Sequence, residues 1–378
     1  MIQPSEFFNC LQENGITFFS GVPDSLLKHI CAYITDNTKA NQHITCANEG
    51  NSVGVAIGHH LASGEIPLIY MQNSGLGNAI NPLLSLADKD VYSIPVLMMI
   101  GWRGEPGTSD EPQHKKQGRV TLALLETMEI PYEIITGDPD LAFEALQKAT
   151  KYMKKNKAPF ALVVQKNAFE EYTLKNTKEY SLPLAREDAL KCILGSLGSE
   201  DIVVSTTGMI SREVFELREI LQDGHCRDFL TVGGMGHTSQ IALGIALRQK
   251  NKKVYCLDGD GSVIMHMGSM AINGTLKCPN FYHIVLNNGV HDSVGGQPTV
   301  GFDINLQEVA KATGYETVLK AITLEDLEKN IMILKSANNS TFLEISVNKG
   351  HRCDLGRPTT LPIENKVKFM ENFQNNGN

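Results

Sequence analysis

Val254-Tyr-Cys-Leu-Asp-Gly-Asp-Gly-Ser262, followed further on by Phe281-Tyr-His-Ile-Val-Leu-Asn-Asn288, decides the fold of this chain. Val254–Leu257 is an apolar run of buried-strand length, Ser262–Leu276 has helical spacing, and Phe281–Leu286 is a second apolar run. The pattern predicts strand, helix, strand, a crossover that makes the two strands parallel. Gly259-Asp260-Gly261 then ends the first strand and Asn287-Asn288 the second, at the carboxyl edge where open α/β sheets bind ligands. One carboxylate, one amide oxygen and glycines that let backbone approach a phosphate suit a Mg2+–diphosphate site. Mg2+ takes few oxygens from protein and shares the rest of its shell with phosphate and water. The helix start adds free N–H groups and a positive dipole end for the anion. A tight turn beside a chance asparagine pair is the bland alternative, and residue type, spacing and strand context argue jointly against it.

Working outward, strand-like runs recur at Thr17–Ser20, His43–Cys46, Pro67–Gln72, Pro95–Ile100, Tyr132–Ile135 and Phe160–Gln165, with helical patterns such as Ser25–Asp36 and Pro139–Lys154 between them. The second half repeats the alternation at Ile202–Thr206, Phe229–Val232, Val254–Leu257, Phe281–Leu286 and Phe342–Val347. Such alternation predicts an α/β protein with two similar doubly wound parallel sheets covered by helices on both faces. The expected division is a first domain over 1–170, a polar aperiodic linker over 171–184, a second domain over 185–348 and a surface-wrapping tail over 349–378 with a frayed end. The halves also match at a fixed offset of 186 residues. Val55-Ala-Ile-Gly58 aligns with Ile241-Ala-Leu-Gly244, Asn73-Ser-Gly75 with Gly259-Asp-Gly261, and Glu49 with Met235. A helix, a loop and a strand end in common register suggest an internal duplication.

A chain of 378 residues with 42% hydrophobic and 20% charged residues has apolar surface for two cores, the balance of a soluble globular protein. A net charge of −8 leaves no basic excess for nucleic acid. Lys148, Lys151, Lys154, Lys155 and Lys157 read as a solvated helix face rather than a partner site. The first residues lack a basic stretch and apolar core of a signal peptide. No apolar run approaches the ~20 residues needed to span a bilayer. Eight cysteines without a Cys-x-x-Cys pair or dense framework read as reduced thiols, and the expected location is cytoplasmic.

The Gly-Asp-Gly…Asn-Asn arrangement resembles the diphosphate half of thiamine diphosphate (ThDP) enzymes, whose two domains, PYR and PP, share one fold and sandwich the cofactor. The resemblance implies ThDP and Mg2+, with the metal held by Asp260, Asn288 and the carbonyl of Val290, and Asn287 standing in if the turn is shifted by one residue. Ser262 is placed to hydrogen-bond the diphosphate. Glu49, in Cys46-Ala-Asn-Glu-Gly-Asn-Ser52, becomes the buried acid that pairs with the aminopyrimidine ring and promotes the imino form that generates the ylid. Its bland reading is a helix N-terminal acid stabilised by the dipole. In Gly233-Gly-Met-Gly-His237 the resemblance makes the Gly233 carbonyl an acceptor for the amino group and Met235 the wedge between the cofactor rings. A dinucleotide fingerprint fails here on spacing. Thr207-Gly208-Met209 resembles the loop that touches pyrimidine and diphosphate. Gly21-Val-Pro-Asp24-Ser25 resembles the active-site loop of 2-oxoacid decarboxylases, with Asp24 facing the substrate; helix capping by Asp24 or Ser25 is an equally good reading.

The linker is too short for the third domain that most ThDP decarboxylases carry. Gly21-Val-Pro-Asp-Ser-Leu-Leu27, Gly101-Trp-Arg-Gly104, Asp110-Glu-Pro-Gln-His114, Asn287–Thr299 and Asp354-Leu-Gly-Arg-Pro358 are similar to the phosphonopyruvate decarboxylases and their sulfopyruvate relatives. Fusion of both halves favours the phosphonate branch, since the sulfonate relatives are often split into two subunits. What this implies is a carboxy-lyase that converts 3-phosphonopyruvate to phosphonoacetaldehyde and CO2 in phosphonate biosynthesis. The alternatives are a sulfopyruvate decarboxylase, an acetolactate-synthase-like carboligase and, from another class, a noncatalytic ThDP-binding subunit. The loop Gly101–Arg119 is rich in cations suited to a tetrahedral oxyanion, so Ser25, Arg103, His114 and Arg119, with Arg357 from the tail, are candidate substrate residues, and Arg352 is placed to join them. Where pyruvate-type enzymes carry other acids after the Asn pair, this chain has His291 and Asp292, the candidates for the acid that protonates the enamine. The family pairs the PYR domain of one chain with the PP domain of another, which implies a homodimer or higher homo-oligomer with intersubunit sites.

Overall fold

The computed structural model describes residues 1–177 and 179–374. The chain forms two compact units, Met1–Lys178 with Ser293–Pro298, and Glu179–Asp292 with Thr299–Asn378. The first unit holds β1 (Phe19–Gly21), β2 (His43–Thr45), β3 (Leu68–Gln72), β4 (Leu97–Gly101), β5 (Tyr132–Ile135) and β6 (Phe160–Val164) in one parallel sheet of order β2-β1-β3-β4-β6-β5. The second holds β7 (Ile202–Ser205), β8 (Asp228–Leu230), β9 (Val254–Gly259), β10 (Phe281–Asn287), β11 (Thr317–Ala321) and β12 (Thr341–Ser346), ordered β11-β12-β10-β9-β7-β8 and again all parallel. Read from the other edge, this is the first order strand for strand. The duplication read from the offset therefore extends to topology.

Every central strand is apolar on both faces because helices cover both. In β3, Leu68 and Tyr70 enter one core while Ile69 and Met71 enter the other. In β10, Tyr282, Ile284 and Leu286 point one way, Phe281 and Val285 the other. Each such side chain taken out of water stabilises the unit by about 1.5–3 kcal/mol. In each sheet the strand order reverses beside the first strand, β1 lying between β2 and β3, and β7 between β8 and β9. That reversal opens a crevice at the carboxyl ends of the strands, the place where doubly wound sheets hold ligands.

Three elements differ from the sequence reading. The helix expected over Ser262–Leu276 is two helices, Asp260–Met265 and Ser269–Leu276, separated at His266, whose ψ of 50° breaks the ladder. The half-exposed edge strand β11 escaped the apolar-run criterion, since Thr317, Val318, Leu319 and Lys320 are not buried. The tail does not merely wrap the surface. Pro362–Gln374 is a helix held to β8 by Asn365 Nδ2, which donates to the Asp228 carbonyl at 3.0 Å, and by Phe369 against Phe229. The fraying expected at the very end falls on 375–378, outside the described residues. No helix among the described residues is long and apolar enough to cross a membrane.

Helix Ser269–Leu276 packs so closely that a Cβ on its buried Gly274 would lie 2.2 Å from the Thr313 carbonyl oxygen. Gly274→Ala should therefore lose about 1–3 kcal/mol by overpacking and reverse the roughly 1 kcal/mol that alanine normally gains in a helix. Urea denaturation measures this, and an unchanged or raised midpoint contradicts it.

Candidate active site

In the first unit Glu49 opens helix Glu49–Ser63, but it does not cap it. Asn48 is the cap, its side chain accepting from the Asn51 N–H at 2.9 Å. The Glu49 carboxyl is instead buried, 6% exposed, and its Oε2 accepts from Asn78 Nδ2 at 2.8 Å. It lies against Gly75, where a Cβ would come within 2.5 Å of Glu49 Oε1. Only glycine at position 75 leaves room for it. Asn78 was not among the sequence candidates. Nothing in spacing points to it, because the contact joins helix Glu49–Ser63 to helix Leu76–Pro82.

Asp24 follows β1 and is fully buried. Its Oδ2 accepts from the N–H groups of Leu26 and Leu27 at 2.9 and 3.3 Å, a turn that ends ahead of helix Lys28–Asn37. The cap position of that helix is Leu27 with no side-chain bond, so neither Asp24 nor Ser25 caps it, and the buried Oδ1 of Asp24 has no partner among the described residues. Burial pushes this carboxyl above the ordinary range, against the N–H bonds and the nearby Arg103. Gly101 is required beside it, since a Cβ there would sit 2.1 Å from Asp24 Oδ2.

The cation-rich loop carries its own counter-charge. Arg103 donates from Nε to Asp110 Oδ2 at 2.8 Å and pairs through Nη2 with Oδ1 at 2.5 Å, a bidentate fork, while its Nη1 donates to Ser25 Oγ at 2.7 Å. His114 Nδ1 lies 2.9 Å from the same Asp110 carboxylate, which also accepts from the Gly104 N–H. Arg119 is exposed on helix Pro112–Thr127, and Arg357 is exposed in the tail. Arg352 is taken up by Glu187, Glu216 and Asp354.

In the second unit the loops after β7, β8 and β9 meet at the GDG motif. Asp260 is 2% exposed, with the Thr299 hydroxyl donating to its Oδ2. Burial, only partly offset by Thr299 and backbone N–H groups, pushes its carboxyl up to about 6. A Cβ on Gly301 would lie 2.5 Å from Asp260 Oδ2 and 2.6 Å from Asn287 Oδ1, so two oxygens converge over a glycine. Asn287 is fully buried; its Nδ2 donates to the Gly301 carbonyl and to Glu344, each at 2.8 Å, and its Oδ1 accepts from the Gly289 N–H. Asn288 donates to Asp292 and receives the Val290 N–H. Hard oxygen donors around a buried carboxylate fit Mg2+.

Ser262 Oγ receives the Gly236 N–H and the Thr206 hydroxyl, each at 3.1 Å, which fills its lone pairs and leaves its proton to donate to an anion. Thr207 and Met209 are half-buried, and Gly208 between them takes φ 96°, a left-handed region open to glycine. Gly233 and Met235 are half-buried in the loop before helix Thr238–Arg248. Met235 and His291 meet over Gly261: a Cβ there would lie 3.3 Å from the Met235 methyl and 2.9 Å from His291 Cε1. Burial pushes the His291 imidazole down to about 4, so it is neutral near pH 7. Cys256, Asp258 and His283 form a separate buried group behind this motif, with His283 Nδ1 and Tyr315 Oη 2.9 Å apart. Its sulfur and nitrogen donors do not suit Mg2+.

Residues 206–345 match the thiamine pyrophosphate enzyme C-terminal TPP binding domain, and residues 5–124 the corresponding N-terminal TPP binding domain. Both halves of a thiamine pyrophosphate enzyme are therefore present, and thiamine diphosphate is the cofactor. The chain is 33% identical over 384 residues to the phosphonopyruvate decarboxylase of Streptomyces viridochromogenes, covering 98% of this chain and 94% of that protein. It is 32% identical to the phosphonopyruvate decarboxylase of Streptomyces hygroscopicus over the same shares. The sulfopyruvate decarboxylase of Methanosarcina acetivorans is 26% identical over 98% of both chains. The chain belongs to the phosphonopyruvate decarboxylase family of thiamine pyrophosphate enzymes. Because that sulfopyruvate relative spans both halves in one chain, fusion of the halves does not separate the two branches.

Asp110 is 12% exposed; burial opposes its ionisation, but Arg103, His114 and the Gly104 N–H outweigh that and hold it well below the usual carboxylate range. Its folded value lies below its unfolded one, so the stabilisation is complete above about pH 4 and is lost as the pH falls further. Asp110→Asn should cost about 3 kcal/mol at pH 7 by leaving Arg103 without its counter-charge. The gap to the parent should close as the pH is lowered below about 4. Denaturation at several pH values checks this, and a pH-independent gap rules the ion pair out as its source.

Proposed function

We propose that this chain decarboxylates 3-phosphonopyruvate to phosphonoacetaldehyde and CO2, with thiamine diphosphate and Mg2+, in phosphonate biosynthesis. The observation that carries the reading is the nearly full-length match to two phosphonopyruvate decarboxylases. We assign 1–170 as the PYR domain, 171–184 as the linker, 185–348 as the PP domain and 349–378 as the tail. The cofactor, when bound, supplies the stabilised carbanion needed to release CO2. The chain's own groups bind and orient it. Glu49 holds the pyrimidine end through its buried carboxyl, Gly233 and Met235 shape the middle, and Ser262 and the 207–209 loop hold the diphosphate. Asp260, Asn288 and the Val290 carbonyl hold Mg2+; Asn287, whose Nδ2 is taken by Gly301 and Glu344 and whose Oδ1 lies with Asp260 Oδ2 over Gly301, stands in if the turn is shifted by one residue. His291, neutral and beside Met235, is the group we place nearest the reacting centre. Asp24 and Ser25 face the substrate from the loop after β1.

Sulfopyruvate decarboxylation is the second reading, favoured by the match to the Methanosarcina protein. A carboligase reading finds no supporting observation. Against a noncatalytic subunit stands the presence of Glu49, Asp260 and Asn288, all buried. Eight free cysteines support a reducing, cytoplasmic setting.

A dianionic phosphonate rewards charge-assisted donors, each contributing roughly 1.5–3 kcal/mol, whereas pyruvate would leave them unpaired. Assayed for CO2 and aldehyde, the protein should strongly prefer phosphonopyruvate to pyruvate, with sulfopyruvate between them. Arg119→Ala should erode that preference without unfolding the loop, because Arg119 is exposed whereas Arg103 is already committed to Asp110. Equal efficiency of the parent on pyruvate and phosphonopyruvate would falsify the substrate assignment.

We further propose a homodimer or higher homo-oligomer in which Glu49 of one chain and Asp260 of another serve one site. Glu49→Gln and Asp260→Ala proteins should each be inactive, and subunit-exchanged mixtures should regain part of the activity. Demonstrable heterodimers with no recovery would mean that both residues act within one chain.

A further inference from the structure

A carboxamide ligates a cation only when its oxygen, rather than its nitrogen, is turned toward it. Two neighbours fix that choice for Asn288. The Asp292 carboxylate can only accept, and Asn288 Nδ2 donates to its Oδ2 at 2.8 Å. The Val290 N–H can only donate, and it reaches Asn288 Oδ1 at 3.2 Å. Both demand the same rotation, and they leave one lone pair of Oδ1 available.

Asp292 is itself held. Arg186 Nη1 donates to the same Oδ2 at 2.7 Å, and the Gly350 N–H reaches the carboxylate at 3.1 Å. Arg186, 4% exposed at the start of helix Arg186–Ser196, forks onto Glu213 from Nε and Nη2 at 2.8 and 2.9 Å and also donates to the Gly350 carbonyl at 3.1 Å. Three segments distant in sequence, carrying Arg186, Glu213 and Gly350, thus immobilise one carboxylate beside Asn288. Burying such charges is costly and gains little net stability over apolar packing, so its use here is geometric.

We propose that Asp292 and Arg186 are positioning residues of the metal site: Asp292 orients the Asn288 carboxamide so that its oxygen faces Mg2+, and Arg186 fixes Asp292. The proposal rests on the reading of Asn288 as a metal ligand. It removes Asp292 from the proton-transfer role that its place after the Asn pair suggested, since its oxygens are already taken by Arg186, Asn288 and Gly350.

The test uses the full chain stripped of metal and supplied with saturating thiamine diphosphate, in the parent and in Asp292→Asn, Arg186→Lys and Asn288→Ala. Mg2+ is titrated by calorimetry and turnover is followed as a function of Mg2+, with circular dichroism melts to verify folding. An asparagine at 292 both donates and accepts, so only the Val290 N–H still fixes which way the Asn288 carboxamide is turned. Asp292→Asn should weaken Mg2+ binding about 10–100-fold, as loss of a partner behind a ligand typically does. Its kcat at saturating Mg2+ should stay within about threefold of the parent, the signature of lost binding rather than lost chemistry. Arg186→Lys, which keeps the charge but loses the fork, should show a smaller loss of affinity, and it carries the test if Asp292→Asn does not fold. Unchanged Mg2+ affinity in Asp292→Asn, with affinity lost in Asn288→Ala, overturns the positioning role alone. Collapse of kcat at saturating Mg2+ with affinity intact makes Asp292 the proton donor and also overturns it. Unchanged affinity in Asn288→Ala removes the ligand reading itself, and the inference falls with it.

Discussion

A carboxylate buried at the end of a parallel strand is the constraint around which the second unit is arranged. Asp260 is 2% exposed, and among the side chains of the described residues only the Thr299 hydroxyl donates to it. Removing such a charge from water costs several kcal/mol, and one hydroxyl with a few backbone N–H groups offsets only part of that. The residual cost appears as a carboxyl raised to about 6. A divalent cation removes the deficit, so the same burial that strains the protein favours the metal. The surrounding geometry serves this need. Gly301 gives the Asp260 and Asn287 oxygens room, β9 and β10 end in register, with Leu286 opposite Gly259, and Asn287 ties the turn to β12 through Glu344.

The two halves solve one packing problem with different chemistry. Gly75 and Gly261 occupy the same slot at the common offset, and Glu49 and Met235 occupy another. The structure joins the two slots in each half. A Cβ on Gly75 would strike Glu49, and a Cβ on Gly261 would crowd the Met235 methyl and His291. The missing side chain opens a space, and the equivalent residue fills it, with a carboxyl in one unit and a thioether in the other. After duplication the scaffold fixes where the contact is made, and the residue decides whether that place is polar or apolar.

Much of this was legible because it depends on local pattern. β5 begins and ends where its apolar run does, and β9, β10 and β12 lie within two residues of theirs. Glycines around Asp260 were visible from spacing and strand context, and the acid at 49 from the resemblance to thiamine diphosphate enzymes. The misses share a physical cause, which is tertiary context. The break at His266 falls two residues before Gly268, the cap of the second helix, in a run whose periodicity is otherwise continuous. β11 carries half-exposed side chains because it lies at a sheet edge, where burial no longer writes an apolar run. The helix Pro362–Gln374 sits behind a Gly- and Pro-rich stretch that reads as coil, and it is fixed by β8, more than a hundred residues earlier. Asn78 has no signature because its role is defined by the side chain it meets.

The loop after β4 shows why counting charges misleads. Arg103, His114, Lys115, Lys116 and Arg119 read together as a cationic surface awaiting an anion. Yet Asp110 lies in the same stretch and takes the fork of Arg103, the ring of His114 and the N–H of Gly104. A guanidinium already met by a carboxylate presents little net field to a ligand, and its main product is a loop of fixed shape. Rigidity is still useful, because Arg103 Nη1 reaches Ser25 and so ties the loop after β1 to the loop after β4. Asp24, one of whose buried oxygens has no partner among the described residues, lies beside that junction in the room that Gly101 leaves. Selectivity for a second anionic group would then come from cations outside the Asp110 knot acting on a pocket that the knot keeps in shape.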